Sequence, residues 1–239
     1  MNIIITMAGL GSRFQKAGYK VPKYQIEVKG KTLFEWSMIS LSDYFNDPES
    51  PFIFIVRKEH NASDFINSEC EKLGIENRKI VEIDELTDGQ ATTAMLAKPY
   101  WKEDDGFLVY NIDTYVEAGY LLKNKIEGDG FIPCFNAEGD HWSFVKLDEQ
   151  GNATEVREKV RISDNCTIGL YYFKSAALYE KIYNEYYSDN SNVEMSEKYI
   201  APLYNYMIKN GYKIKIDIIP YERVHVLGTP DEVKAFENE

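Results

Sequence analysis

Strand-like runs and segments of helical periodicity alternate through the first half of the chain. The strand-like runs predict strands at residues 2–6, 52–56, 79–83 and 107–110. Apolar residues at helical spacing predict helices at residues 32–45, 61–73 and 90–98. Because strands and helices alternate up to about residue 120, the pattern indicates an α/β domain with a largely parallel sheet.

The second half of the chain has a different pattern. It predicts strands at residues 131–135, 142–147 and 167–173, with a tight turn at 148–152. It predicts helices at residues 175–187 and 197–210, with a start near Pro202 as the alternative for the second helix. Lysine and isoleucine alternate within 213–219, which favours a strand at an exposed edge of the sheet.

A helix start is predicted near the end of the sequence. Thr229 has the position of an N-cap, Pro230 that of the first helical residue, and Glu232 that of the capping-box glutamate. We find no linker and no internal repeat, so we expect residues 1–239 to form a single domain. The fold class predicted is α/β, a Rossmann-like three-layer sandwich with a mixed, mostly parallel central sheet.

Charge and cysteine spacing narrow the class of protein. The 239 residues carry a net charge of −12, which disfavours nucleic acid as a partner but allows a small phosphorylated ligand. No apolar run approaches the roughly 20 residues of a membrane span, and no signal peptide is recognisable. The three cysteines lack the spacing of a zinc site or a disulfide framework. We therefore expect a cytoplasmic protein with reduced cysteines and no membrane partner.

A glycine-rich loop follows the first predicted strand. Gly9 and Gly11 let the backbone approach an anion closely, and Arg13 and Lys23 supply positive charge beside it. The loop lacks the spacing of a P-loop, and Phe14 stands where a dinucleotide fingerprint needs a third glycine. From these residues alone, phosphate binding and an ordinary glycine turn both remain open.

Residues 8–14, with the sequence A-G-L-G-S-R-F, and the later Pro22-Lys23 resemble the opening signature of sugar-1-phosphate nucleotidyltransferases. The resemblance implies a GT-A-like nucleotidyltransferase fold with residues 1–120 as the nucleotide-binding half and residues 121–239 as the acceptor-binding half. It also implies that Arg13 and Lys23 are catalytic at the phosphates. The nucleoside triphosphate would be held by the remaining residues of the loop, Ala8, Gly9, Gly11 and Ser12.

Two further segments match the nucleotide half of the same family. Residues 87–93 resemble its second nucleotide element, which implies nucleotide contacts from Gly89, Gln90 and Thr93. Asp113 follows the strand predicted at 107–110, a position that suits a Mg²⁺ ligand beside a triphosphate. The resemblance implies that Asp113 is the metal ligand and Mg²⁺ the cofactor. Without the resemblance, residues 87–93 also fit an ordinary helix start, and Asp113 also fits a turn residue.

The acceptor half carries weaker matches. The Glu158-Lys159 pair and the strand pattern at 167–173 resemble the family's acceptor elements, and Trp142-Ser143 fits the same region. The resemblance implies that Glu158 binds sugar hydroxyls, Lys159 binds the acceptor phosphate, and Gly169 lies at the acceptor. A Glu-Lys pair by itself is typical of a solvated surface.

One position departs from the family pattern. Many members carry W-x-D-x-G-T near the C-terminus, with the aspartate as the second metal ligand, whereas Val226 has that position here. The neighbouring His225 is expected to be structural. Asp217 is the next carboxylate that we consider for the metal.

The resemblance implies an enzyme that transfers a nucleotidyl group from a nucleoside triphosphate to a sugar 1-phosphate and releases pyrophosphate, for surface polysaccharide precursors. Three alternatives stay open: a cytidylyltransferase acting on phosphocholine or another non-sugar phosphate, a metal-dependent GT-A glycosyltransferase, and a non-catalytic binding module. The sequence selects neither the base nor the acceptor, and homo-oligomer formation is also open.

Overall fold

The computed structural model describes residues 1–193 and 197–239. The strands are β1 (Asn2–Thr6), β2 (Glu27–Val28), β3 (Lys31–Thr32), β4 (Phe52–Arg57), β5 (Arg78–Ile83), β6 (Phe107–Asn111), β7 (Thr114–Val116), β8 (Gly130–Asn136), β9 (Ser143–Leu147), β10 (Ala153–Glu158), β11 (Asn165–Thr167), β12 (Leu170–Phe173), β13 (Ile214–Ile218) and β14 (Val224–Val226). The helices are α1 (Ser12–Lys16), α2 (Leu33–Ile39), α3 (Ser63–Leu73), α4 (Gln90–Met95), α5 (Ala176–Tyr187), α6 (Leu203–Lys209) and α7 (Pro230–Asn238).

Four strands of the first half form a parallel sheet in the order β6-β1-β4-β5. Alternate residues of β1 enter different hydrophobic clusters, because successive side chains of a strand point to opposite faces. Ile4 packs into one cluster, whereas Ile3 and Ile5 pack into the other. Both faces of the sheet are therefore covered, which confirms the predicted α/β sandwich.

The second half extends this sheet with antiparallel strands. Strand β12 pairs antiparallel with β6 on one side and with β8 on the other. Strands β11, β9 and β10 continue beyond β8. Strand β13 pairs parallel with β8 and lies off the main path of the sheet, in agreement with the predicted edge strand. The central sheet is mixed, as predicted.

Three helices are shorter than the apolar pattern predicts. The helix predicted at 90–98 stops at Met95, and a separate 3₁₀ turn at 98–100 follows it and contains Pro99. The helix predicted at 197–210 begins only after Pro202, which cannot donate a backbone hydrogen bond to a preceding turn. The helix predicted at 32–45 ends at Ile39 and gives way to a short 3₁₀ turn at 42–44.

The strand predicted at 167–173 is divided into β11 and β12 at Gly169. Gly169 has a φ of +80°, and a Cβ there would lie 2.3 Å from Asn111 Nδ2. Only glycine fits both the backbone conformation and the closeness of the Asn111 amide. The break lets β12 pair with β6 while β11 pairs with β8 and β9.

The structure bears on two expectations, that the cysteines are reduced and that the chain has no membrane span. Cys70, Cys134 and Cys166 are buried and free, and burial raises the pKa of each thiol. Across residues 1–193 and 197–239, none of the helices has the length and apolar character needed to span a bilayer.

We expect Gly169→Ala to lower the free energy of unfolding by at least about 2 kcal/mol, because it adds a steric clash to a left-handed backbone. Gly151→Ala is the matched control, since Gly151 has a φ of +74° but nothing within 4 Å of its Cβ position. The control variant should lose about 1 kcal/mol. Urea unfolding of both variants measures the difference, and equal losses would contradict the role given to Asn111.

Candidate functional site

A cavity of about 610 Å³ opens at the carboxyl ends of β1 and β6. Ligands of open α/β sheets bind at this edge. We call this 610 Å³ cavity the glycine-loop cavity. Nine of the residues predicted from the sequence line it: Ala8, Gly9, Gly11, Ser12, Lys23, Gly89, Gln90, Thr93 and Asp113. The structure therefore brings the predicted nucleotide residues and the predicted metal residue together.

The glycine loop reaches the cavity through a left-handed turn. Gly11 has a φ of +62°, and its carbonyl oxygen accepts hydrogen bonds from the backbone N–H groups of Phe14 and Gln15 as α1 begins. Buried Phe14 anchors α1 to the core. Arg13 is exposed and lies next to Ser12, the last loop residue that lines the cavity.

Lys23 and Asp113 form an ion pair inside the cavity. The Lys23 ammonium lies 2.6 Å from Asp113 Oδ2, and the two side chains are 21% and 25% exposed. Pro22 begins the 3₁₀ turn that carries Lys23, and buried Tyr24 anchors this turn. A cation and a carboxylate are thus fixed together at the mouth of a cavity lined by backbone groups.

Gln90 is held in one orientation by two residues that the sequence analysis missed. Its side-chain amide donates to Thr6 Oγ1 at 3.0 Å and to Asn111 Oδ1. Thr6 ends β1 and Asn111 ends β6, so the rule that ligands bind at the carboxyl ends of parallel strands was the signal that pointed to both. The Gln90 amide nitrogen is thus bonded to both strand ends at the edge of the glycine-loop cavity.

The turn before α4 is fixed from the second half of the chain. The Asp88 carboxylate pairs with the Lys198 ammonium at 2.8 Å, and Ala91 N–H donates to the Lys198 carbonyl. Burial raises the pKa of Asp88, but the Lys198 ammonium and the Thr92 hydroxyl outweigh it, so the pKa lies below its ordinary value. A Cβ on Gly89 would lie 2.4 Å from the Lys198 carbonyl oxygen, so this turn requires glycine.

Glu158 and Lys159 lie together at the end of β10, outside the lining of the glycine-loop cavity. The Ser143 hydroxyl donates to Glu158 Oε2, and the Lys159 ammonium lies 3.6 Å from Glu158 Oε1. Lys159 also donates to the Tyr199 hydroxyl at 3.0 Å. Burial lowers the pKa of Lys159, but the bond to Tyr199 and the charge of Glu158 raise it above its ordinary value.

Gly169 connects the acceptor strands to the glycine-loop cavity. Its carbonyl oxygen accepts a hydrogen bond of 3.2 Å from the Asn111 backbone N–H. Asn111 also accepts a hydrogen bond from the Gln90 amide, so Gly169 and Gln90 contact the same residue. Sequence reasoning placed Gly169 at the acceptor, and the structure places it beside the end of β6.

A second cavity, of about 1060 Å³, was not predicted from the sequence. We call it the aromatic cavity. Its lining contains four large aromatic rings, from Phe135, Trp142, Tyr221 and Phe236. It also contains five carboxylates, from Glu138, Asp164, Glu222, Glu232 and Glu239.

The aromatic cavity adjoins the Glu158-Lys159 turn, because the carbonyl oxygen of Trp142 accepts the Lys159 backbone N–H at 2.8 Å. Arg161 is the guanidinium in its lining, and its N–H groups already bond the carbonyl of Ala137 and the carboxylate of Asp164. Carboxylates therefore outnumber cations in the lining, and the cavity suits a positively charged group.

The candidate metal position is defined by Asp113. Val226, at the family's aspartate position, pairs with Thr114 in the two-stranded sheet of β7 and β14. Asp217 forms an ion pair with Lys125 at 2.8 Å on strand β13, and the glycine-loop cavity does not include it. In the described ranges, no three histidine, cysteine or acidic side chains form a metal-binding group. Such a sparse donor set fits Mg²⁺, which keeps waters and binds substrate phosphates.

The chain is similar to several solved structures. A nucleoside-diphosphate-sugar pyrophosphorylase from Vibrio cholerae RC9 is 37% identical, with full coverage of both chains and a TM-score of 0.92. An inositol-1-phosphate CTP transferase from T. maritima is 18% identical over 97% of this chain and 90% of its own, with a TM-score of 0.76. A CTP:phosphocholine cytidylyltransferase from Streptococcus pneumoniae is 18% identical over 99% and 97%, with a TM-score of 0.73. No protein-family model matches the chain, and no curated protein matches it.

Proposed function

The chain belongs to the nucleoside-diphosphate-sugar pyrophosphorylases, and from that premise we propose that it transfers a nucleotidyl group from a nucleoside triphosphate to a sugar 1-phosphate. Pyrophosphate is the second product. Family membership favours this enzyme over the glycosyltransferase and over the non-catalytic module. The observation that carries the proposal is the glycine-loop cavity, whose lining contains Gly9 and Gly11 together with the Lys23–Asp113 ion pair.

The reaction needs positioning and charge neutralisation rather than a covalent enzyme intermediate. An oxygen of the acceptor phosphate attacks the α-phosphorus of the triphosphate, and the bond from the α-phosphorus to the bridging oxygen of pyrophosphate breaks. Lys23 is close enough to the loop to stabilise charge at the α-phosphate, and Arg13 stabilises the leaving pyrophosphate. Lys159 orients the attacking phosphate with its ammonium group.

Asp113 is the residue that we propose as the protein ligand of Mg²⁺. Its carboxylate lies in the glycine-loop cavity, and hard oxygen ligands suit this ion. Bound Mg²⁺ would neutralise charge on the phosphates and fix their orientation. Lys23 forms an ion pair with Asp113 Oδ2 at 2.6 Å, which restrains the orientation of this carboxylate.

Glu158 is the residue that we propose to read the acceptor. Ser143 holds one oxygen of its carboxylate, and carboxylate oxygens accept hydrogen bonds from sugar hydroxyls. The product, an activated sugar, suits the synthesis of surface polysaccharide. Nucleoside triphosphates are cytoplasmic, so we propose that the reaction takes place there.

The aromatic cavity favours a second candidate acceptor, phosphocholine or a related amine phosphate. Aromatic faces and carboxylates are the groups that bind a quaternary ammonium ion. The cavity offers both beside Lys159, which would hold the phosphate. The phosphocholine cytidylyltransferase from Streptococcus pneumoniae has the same fold at 18% identity.

A pyrophosphate-release panel tests the proposed function. CTP, UTP, dTTP and GTP are each mixed with glucose 1-phosphate, other sugar 1-phosphates and phosphocholine, with MgCl₂ present. We expect one nucleotide and a sugar 1-phosphate to release pyrophosphate together, and neither alone. Release with phosphocholine only would establish the second candidate, and release with no pair would overturn both.

Arg13→Ala should lower kcat by a hundredfold or more, because loss of a preorganised charge at the reacting phosphates costs about 3 kcal/mol. The melting temperature should not change, since Arg13 is exposed. Lys16→Ala is the matched control, as Lys16 is exposed on the same helix. Steady-state kinetics of the two variants decides, and wild-type turnover in folded Arg13→Ala would contradict the role.

Glu158→Ala should lower kcat/KM for the sugar 1-phosphate by a factor that corresponds to about 1.5–3 kcal/mol, the usual value of a hydrogen bond to a charged group. The KM for the nucleotide should stay constant, because Glu158 lies outside the glycine-loop cavity. Glu155→Ala, in the same strand, serves as the control. An unchanged kcat/KM for the acceptor in Glu158→Ala would show that this residue does not read the sugar.

A further inference from the structure

The side chain of Glu232 has one buried carboxylate oxygen. Its Oε2 atom is inaccessible to solvent and has no hydrogen-bond partner among the residues that the structure describes. A buried carboxylate oxygen without a partner is unfavourable, because it has lost its hydration without a replacement. The burial of this oxygen therefore reflects either a ligand that binds it or a packing requirement elsewhere in the fold.

The orphaned oxygen lies beside the candidate metal ligand. A Cβ on Gly228 would lie 3.4 Å from Asp113 Oδ2 and 3.5 Å from Glu232 Oε2. Both carboxylate oxygens therefore lie next to the position that a side chain at residue 228 would take. Leu227 N–H, which donates to the Asp113 carbonyl oxygen at 2.8 Å, fixes this segment against the β6–β7 turn.

Capping of helix α7 does not account for the position of this carboxylate. Helices α2 and α7 share the pattern T-x-x-E at their starts. In α2 the box closes, because Glu35 Oε2 accepts the Thr32 backbone N–H at 3.1 Å. In α7 the Thr229 hydroxyl accepts the Glu232 N–H, but Glu232 Oε2 makes no return bond. The sequence-based expectation of a capping-box glutamate is correct only for the hydroxyl half of the box.

We propose that Glu232 is the second carboxylate of the magnesium site, in the role that an aspartate at position 226 has in the family signature. Lys23 neutralises Asp113 alone, whereas a divalent cation at this place compensates both carboxylates. The first turn of α7 thus supplies the carboxylate that Val226 of β14 lacks. This inference rests on the proposed role of Asp113 as a metal ligand.

Binding of Mn²⁺ to the full chain tests this inference without a catalytic readout. Electron paramagnetic resonance measures free Mn²⁺ during titration of the wild type and of each variant, first with the metal alone and then with each of the four triphosphates. We expect Glu232→Gln and Asp113→Asn each to weaken Mn²⁺ binding about tenfold or more. Asp231→Asn is the matched control, because Asp231 is exposed in the same helical turn, and it should bind Mn²⁺ like the wild type.

Thermal unfolding in EDTA separates a metal role from a helix role. If Glu232 only stabilises the α7 N-terminus, Glu232→Gln should lower the melting temperature, and Asp231→Asn should lower it by a similar amount. A metal-site glutamate that repels Asp113 would leave the melting temperature of Glu232→Gln equal to or above that of the wild type. Mn²⁺ should then raise the melting temperature of the wild type more than that of the variant.

Wild-type Mn²⁺ affinity in Glu232→Gln would overturn the inference, and so would a wild type that binds no Mn²⁺ with or without triphosphate. Pyrophosphate release is measured separately on the wild type. If the wild type releases pyrophosphate and Glu232→Gln keeps its Mn²⁺ affinity, only the role of Glu232 is wrong. If no nucleotide and acceptor pair releases pyrophosphate, the proposed function fails whatever the metal titration shows.

Discussion

The ion pair between Lys23 and Asp113 joins the two segments that form the candidate active site. Parallel pairing sets Thr6 of β1 level with Asn111 of β6, so the chain leaves both strands at the same edge of the sheet. The glycine loop continues from β1, Asp113 follows β6, and Lys23 crosses between them at 2.6 Å. The pair holds a cation and a carboxylate beside the glycine loop, and this arrangement supports the proposal that a triphosphate binds here.

Asn111 couples this edge to the acceptor half. Its backbone N–H donates to the Gly169 carbonyl, and its side chain accepts from Gln90 while it occupies the space that a side chain at residue 169 would take. The proposed nucleotide and acceptor residues Gln90 and Gly169 therefore both contact Asn111. This contact explains why the long strand of the second half must be interrupted at a glycine.

The elements predicted most accurately were those fixed by local patterns. Strand β1 has the predicted bounds, and the nucleotide residues lie together because they belong to loops that follow neighbouring parallel strands. The aromatic cavity could not be predicted, because Phe135, Tyr221 and Phe236 are distant in the sequence and meet only after folding. The position of the Glu232 carboxylate could not be predicted either. The pattern T-x-x-E predicts a closed capping box whether or not the side chain has another partner.

The central claim is that the glycine-loop cavity binds the triphosphate and that Asp113 binds its metal. The most direct test is a crystal structure with Mn²⁺ and a non-hydrolysable analogue of the nucleotide that supports pyrophosphate release. The account predicts phosphate oxygens on the backbone N–H groups of residues 9–13 and a Mn²⁺ anomalous peak at the Asp113 carboxylate. A triphosphate in the aromatic cavity, or an anomalous peak away from Asp113, would contradict it.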